Sequence, residues 1–183
     1  MDILEMLAKS GSLSQLSKQY GMSEDVIAQA IKMGLPQIAG QISKNTSSDQ
    51  GLLDFMNAIN DHKDDDVESM VRDVNRIDMN DGAKILGHIF GNKEQDIALD
   101  ISKKTGAQSM DIMKILSMLA PILMGSLGKQ AKNKRMTDND GLESTLESML
   151  GGRSGLGGML AGFLDKDKDG SMIDDLIGGM FKG

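Results

Sequence analysis

Near the C-terminus, Asp165, Asp167 and Asp169 alternate with lysines and are followed by Gly170 and Ser171. Carboxylates at every second position turn their oxygens to one side, and glycine permits a sharp bend. The Ser171 carbonyl then stands as the next ligand, as at the opening of a calcium loop. The pattern departs at its end. The twelfth position of such a loop carries a bidentate acid, and here it is Leu176, preceded by Asp174 and Asp175. Asp165, Asp167, Asp169, Ser171, Asp174 and Asp175 are therefore the candidate calcium ligands, with an affinity expected at about 10⁻⁴ to 10⁻³ M. The plainer reading is that Ser171 caps a last helix and Asp174 and Asp175 complement its dipole.

Other reactive side chains are sparse. There is no cysteine, and the histidines are His62 and His88. No thiolate nucleophile, zinc–thiolate site or nucleophile-and-base pair can be assembled from these residues, so no enzyme and no cofactor other than calcium is expected. His88 sits in an apolar segment and reads as a core or boundary residue. Asp61, Asp64, Asp65, Asp66 and Glu68 near His62 could hold a metal, but such a run is more simply a solvated loop and helix start. Leu16 to Ile27 has the spacing of a helix-turn-helix, with Gly21 at the turn. Its second helix opens Ser23-Glu24-Asp25, and acids there would repel phosphates. Lys129, Lys132, Lys134 and Arg135 form a basic run that reads as a helix end, with an acidic partner as the alternative.

The elements that position these groups follow from a repeat. At an offset of about 85, Leu16–Lys44 falls on Ile101–Lys129 without a gap. Ser17 meets Ser102, Gly21 meets Gly106, and the only two prolines, Pro36 and Pro121, meet each other. Helices are expected over 2–9, from Ser12 to about Tyr20, from Ser23 to about Met33, and again from Pro36. A Ser47-to-Gln50 capping box starts the next. A polar loop at 60–66, a helix to Ile77, a turn at Asn80-Asp81-Gly82 and an apolar helix to Phe90 follow. Asn92 caps the second copy, which breaks before Pro121 as the first breaks before Pro36, because proline lacks the amide donor. The flanking helices would then fold against each other, bringing Ile27 and Ile31 near Ile38 and Ile42. The linker is Gln130–Asp140.

Few aromatic and β-branched residues argue against sheet. The fold class is all-α, a bundle of short helices built from two repeats. Residues 1–150 form the helical domain, with copies at about 13–62 and 98–150, and 151–183 form a Gly-rich tail with the Asp-rich loop. Sixteen methionines take the place of aromatics and make for adaptable packing. A net charge of −7 disfavours nucleic acid and anionic membrane. No apolar run reaches the roughly 18 residues of a membrane span, and the acidic N-terminus is unlike a leader. A cytoplasmic location is expected.

Several stretches resemble the bacterial family known as domain of unknown function 937. They are Gly34-Leu35-Pro36-Gln37-Ile38, Asp81-Gly82-Ala83-Lys84-Ile85-Leu86-Gly87-His88-Ile89-Phe90-Gly91, Met118-Leu119-Ala120-Pro121-Ile122-Leu123-Met124-Gly125, and the Gly-rich tail. The resemblance implies a small all-helical bacterial protein and carries over no reaction or ligand. The functional expectation is a non-enzymatic interaction or scaffold module acting on an unknown protein partner or on itself. The alternatives are a weak calcium-binding regulator through 165–175 and, third, a helix-turn-helix binder of nucleic acid.

Overall fold

The computed structural model describes residues 2–134 and 138–151. Among these residues every regular element is helical, as the composition requires. They are α1 (Ile3–Lys9), α2 (Ser12–Tyr20), α3 (Glu24–Asn45), α4 (Asp49–Asp61), α5 (Val67–Arg72), α6 (Met79–Phe90), α7 (Glu94–Thr105), α8 (Ser109–Lys134) and α9 (Asn139–Met149).

Both prolines overturn the expected break. α3 runs from Glu24 to Asn45 with Pro36 inside it, and α8 from Ser109 to Lys134 with Pro121 inside it. The segments expected on either side of each proline are halves of one helix, so they do not fold back on each other. The magnitudes explain why. An interior proline costs a helix about 3 kcal/mol. In α3, Ile27, Ile31 and Leu35 before Pro36 and Ile38 and Ile42 after it are all fully buried. Each such side chain contributes about 1.5–3 kcal/mol, so keeping both halves on one buried face outweighs the lost bond.

The two prolines have different surroundings. Pro36 is partly exposed, and the carbonyl it leaves free belongs to exposed Lys32. Pro121 is buried and frees the carbonyl of Ser117. There α6 comes in by its backbone: a Cβ added to Gly82 would overlap the Ser117 carbonyl oxygen and lie 3.3 Å from Pro121 Cδ. The Gly82 Cα hydrogen thus faces the carbonyl that proline leaves unpaired, a weak C–H···O contact. Asn80-Asp81-Gly82 is accordingly not a turn. Asp78 accepts the N–H groups of Asn80 and Asp81 at 2.9 and 3.1 Å, which starts α6 there.

α8 is the spine. It packs against α3, α4, α5, α6, α7 and α9, most extensively against α6. Its residues Leu116, Leu119, Ile122, Leu123 and Leu127 are all essentially inaccessible. Because the two apolar stretches fuse, α8 contains a segment, Ser109–Lys132, long and apolar enough to cross a membrane, with mean hydropathy 1.5. This corrects the expectation that no run is long enough; 72% of its apolar window is buried inside the fold.

The turns that align at the offset of 85 are built alike. Gly21 and Gly106 end α2 and α7 in the left-handed region, φ 65° and 75°, with N–H groups on the Ser17 and Ser102 carbonyls. Ser17 Oγ donates to the Met22 carbonyl and Ser102 Oγ to the Ala107 carbonyl, both at 2.6 Å.

Several expected caps serve other purposes. Ser12 lies inside α2 and its hydroxyl donates to the Val71 carbonyl. Gln15 donates to the Arg72 carbonyl at 2.7 Å and accepts the Val74 N–H at 3.2 Å, so both residues hold the end of α5. α5 stops at Arg72 rather than Ile77 because Asp73 turns extended and its carboxylate takes the Asn75 N–H at 3.1 Å. α4 is capped by Ser48, not Ser47, through the Gly51 N–H at 3.1 Å. α7 follows a 3-10 turn at Gly91–Lys93 and has no side-chain cap, so Asn92 opens no capping box. The linker expected from Gln130 is helical to Lys134, and α9 starts from Asp138, which accepts the Gly141 N–H at 2.8 Å.

Candidate functional site

α4 carries Leu52, Phe55, Met56 and Ile59 at helical spacing, a face that ought to be buried. Of the helix only Ile59 is buried, and Leu53 is 56% exposed. α9, a helix of similar length, buries Leu142, Thr145, Leu146 and Met149. α4 therefore sits on α8 by one edge and leaves a groove of about 380 Å³ beside it. Met56, Ile59, Asn60 and Lys63 line one wall, and Gly128, Ala131 and Lys132 the other.

The groove has a fixed end. A Cβ on Gly128 would come within 2.6 Å of Lys63 Cα, and one on Gly125 within 2.7 Å of Val67 Cγ2. These two glycines let the segment after α4 press directly on the α8 backbone. Lys63 Nζ donates to Asn60 Oδ1 at 3.1 Å, and Lys132 Nζ to Asp64 Oδ1 at 3.2 Å. Among the described residues the lining holds two ammonium groups and no carboxylate, in a chain of net charge −7.

The acidic run beside it is engaged in structure. Asp66 caps α5, taking the Ser69 hydroxyl at 2.7 Å and its N–H at 3.1 Å. The Ser69 hydroxyl bond and then the backbone bond hold the Asp66 carboxyl below its usual range. Asp65 meets His62 Nδ1 at 2.9 Å, and Asp64 meets Lys132. Among the described residues no three metal-ligating side chains gather. His88, read as a core or boundary residue, is exposed on α6.

α2 and α3 form the expected helical hairpin, with Glu24 and Asp25 exposed where a recognition helix would meet phosphate. Its turn is tied to α8: Lys114 Nζ lies 5.4 Å from the Tyr20 ring centre and 2.9 Å from Asp111 Oδ1. Burial raises the Tyr20 phenol pKa despite the ammonium beside it, and the Asp111 hydrogen bond raises that of Lys114. Of the basic run, Lys129 and Lys132 are exposed, and Lys132 belongs to the groove. The Lys134 side chain and Arg135 lie outside the described residues. So do all the candidate calcium ligands, Asp165, Asp167, Asp169, Ser171, Asp174 and Asp175, and the Gly-rich segment before them.

Sequence reasoning missed Lys63, Gly128 and Ala131 as parts of one surface. The available signal was Leu53 beside Leu52, which widens the apolar face of α4 beyond what one packing partner covers.

By its architecture the chain is an all-α bundle assembled on one long proline-containing helix. The model of the family described as "Bacterial protein of unknown function (DUF937)" matches residues 2–130, and the chain belongs to that family. No curated protein and no solved structure matches it. The family match takes in one wall of the groove and Gly128; it ends before Ala131 and Lys132. The Gly-rich tail, which the sequence resemblance included, lies beyond it.

Proposed function

We propose that this protein is a non-enzymatic interaction or scaffold module of the bacterial cytoplasm, with the groove between α4 and α8 as its docking face. The observation that carries this reading is that α4, an amphipathic helix, buries Ile59 alone. A partner that covers Leu53, Met56 and Ala131 recovers the burial that the fold leaves incomplete. Met56 suits such a surface, since an unbranched thioether adapts its shape. Lys63 and Lys132 favour a partner segment that is apolar with acidic flanks.

The full-length chain with Met56→Glu is expected to capture its partner from bacterial extract about tenfold less well, since a carboxylate would replace a central apolar contact. Lys84→Glu, on exposed α6 surface, leaves capture unchanged. Recovery of the same identified protein by wild type and both variants would refute the groove as the docking face.

The second reading, calcium binding through 165–175, rests on the alternating Asp165, Asp167 and Asp169 before Gly170. Calorimetric titration with calcium is expected to give one site at about 10⁻⁴ to 10⁻³ M that disappears in Asp167→Ala with Asp169→Ala. Unchanged binding in that variant excludes the loop.

A further inference from the structure

We infer that the docking face takes a second copy of this chain, α4 against α4, antiparallel about a twofold axis. This rests on the reading of the groove as a docking face and names its occupant. Asp49, Leu53, Met56, Asn60 and Lys63 follow one another at four- and three-residue spacing, so they lie along one edge of α4 and the turn after it. That edge borders the groove, because Met56, Asn60 and Lys63 line it. Asp49 and Leu53 continue the edge toward the start of α4, both exposed.

The edge complements itself. An acid stands at one end, a base at the other, and Met56 midway between them. Turned end for end, a second copy sets Asp49 against Lys63, Leu53 against Asn60 and Met56 against Met56. The twofold axis makes each unlike pair occur twice. A parallel copy would instead oppose Asp49 to Asp49 and Lys63 to Lys63, like charge to like. The Lys63 ammonium is held by the neutral amide oxygen of Asn60 at 3.1 Å, and a carboxylate is the stronger acceptor. Lys132 lines the same groove and adds a second cation. The second copy also has the chemistry these cations favour, because the charged residues of α4 are all aspartates and Asp49 and Asp54 bracket Leu52 and Leu53. A contact of one helix edge per copy belongs with the small interfaces, under about 1,200 Å², and associates weakly.

Sedimentation velocity of purified full-length protein from about 1 μM to 1 mM covers weak association. It is expected to carry the 19.7 kDa chain toward twice that mass as concentration rises. Asp49→Lys and Lys63→Glu are each expected to weaken self-association about tenfold, because attraction becomes repulsion at both copies of the pair. Mixed in equal amounts, the two variants should pair with each other at close to wild-type strength, since each charge then meets its opposite. Lys84→Glu on α6 leaves association unchanged. A chain that stays monomeric to about 1 mM, or a mixture no tighter than either variant alone, would overturn the inference. So would a dimer indifferent to both charge reversals. Monomeric protein whose Met56→Glu variant still loses its captured partner removes the second copy and leaves the docking face. Dimerisation restored in the mixture, beside capture that Met56→Glu leaves unchanged, supports the second copy as occupant and removes the outside partner.

Discussion

Gly82→Ala is expected to destabilise the bundle by about 3 kcal/mol, near the upper end for overpacking. The added Cβ would enter the Ser117 carbonyl oxygen, which is backbone of the central helix and cannot swing aside. Relief would require α6 to move off α8, breaking the largest helix–helix contact in the fold. Gly87 provides the control on the same helix. A Cβ there meets nothing within 4 Å, so Gly87→Ala should stabilise by up to about 1 kcal/mol through helix propensity alone. Urea unfolding at unchanged slope separates the two. At roughly 2–4 °C per kcal/mol for a chain of this size, the melting temperatures should move in opposite directions. A neutral Gly82→Ala would mean that α6 does not lie on the Ser117 carbonyl.

Leu116→Ala is expected to cost about 2–5 kcal/mol, the range for a fully buried leucine that leaves a cavity. Leu116 also supplies a sharper test, because it joins the two long helices. A Cβ on Gly34 of α3 would overlap Leu116 Cδ2, the far end of a flexible side chain, and lie 3.9 Å from Ile101 Cδ1. Gly34→Ala alone therefore overpacks the junction. Combined with Leu116→Ala, the new methyl enters the space the leucine vacates. The double variant should be more stable than the sum of the single losses implies, by about 0.5–3 kcal/mol of coupling. Strict additivity would mean that α3 and α8 do not meet at this pair.

Much of this fold was legible because local chemistry decided it. Gly21, Gly91 and Gly106 end helices as their positive φ allows, and Ser23 caps α3 through the Val26 N–H at 3.3 Å. The apolar positions chosen from spacing, Ile27, Ile31, Ile38 and Ile42 with Ile112, Leu116, Leu123 and Leu127, are all buried. The prolines misled because their local penalty is real but smaller than the burial on both sides of them. Nothing near Pro121 in sequence announces that Gly82 will lie against the carbonyl it frees. Asn80-Asp81-Gly82 has the composition of a turn, yet Asp78, two residues before Asn80, fixes it as a helix start.

The candidate site was harder to read for a related reason. Leu52, Met56 and Ile59 have the spacing of core residues, and spacing cannot say that only Ile59 is fully buried while Leu52 and Met56 are covered in part. Gly128, Ala131 and Lys132 were assigned to the end of a helix and a linker. They form the opposite wall only because α8 runs unbroken past Pro121 and delivers its last turns alongside α4. If the chain bent at Pro121, the groove, its two ammonium groups and the docking proposal would all be lost.

Native-state amide exchange across α8 tests that continuity directly. An unbroken helix keeps the amides of Ile122, Leu123 and Met124 bonded to the carbonyls of Met118, Leu119 and Ala120, on the far side of the proline. They should exchange only through global unfolding, as slowly as those of Leu116 and Leu119. Fast exchange confined to Ile122–Met124, with protection retained on both sides, would show the helix broken at Pro121 and contradict the account.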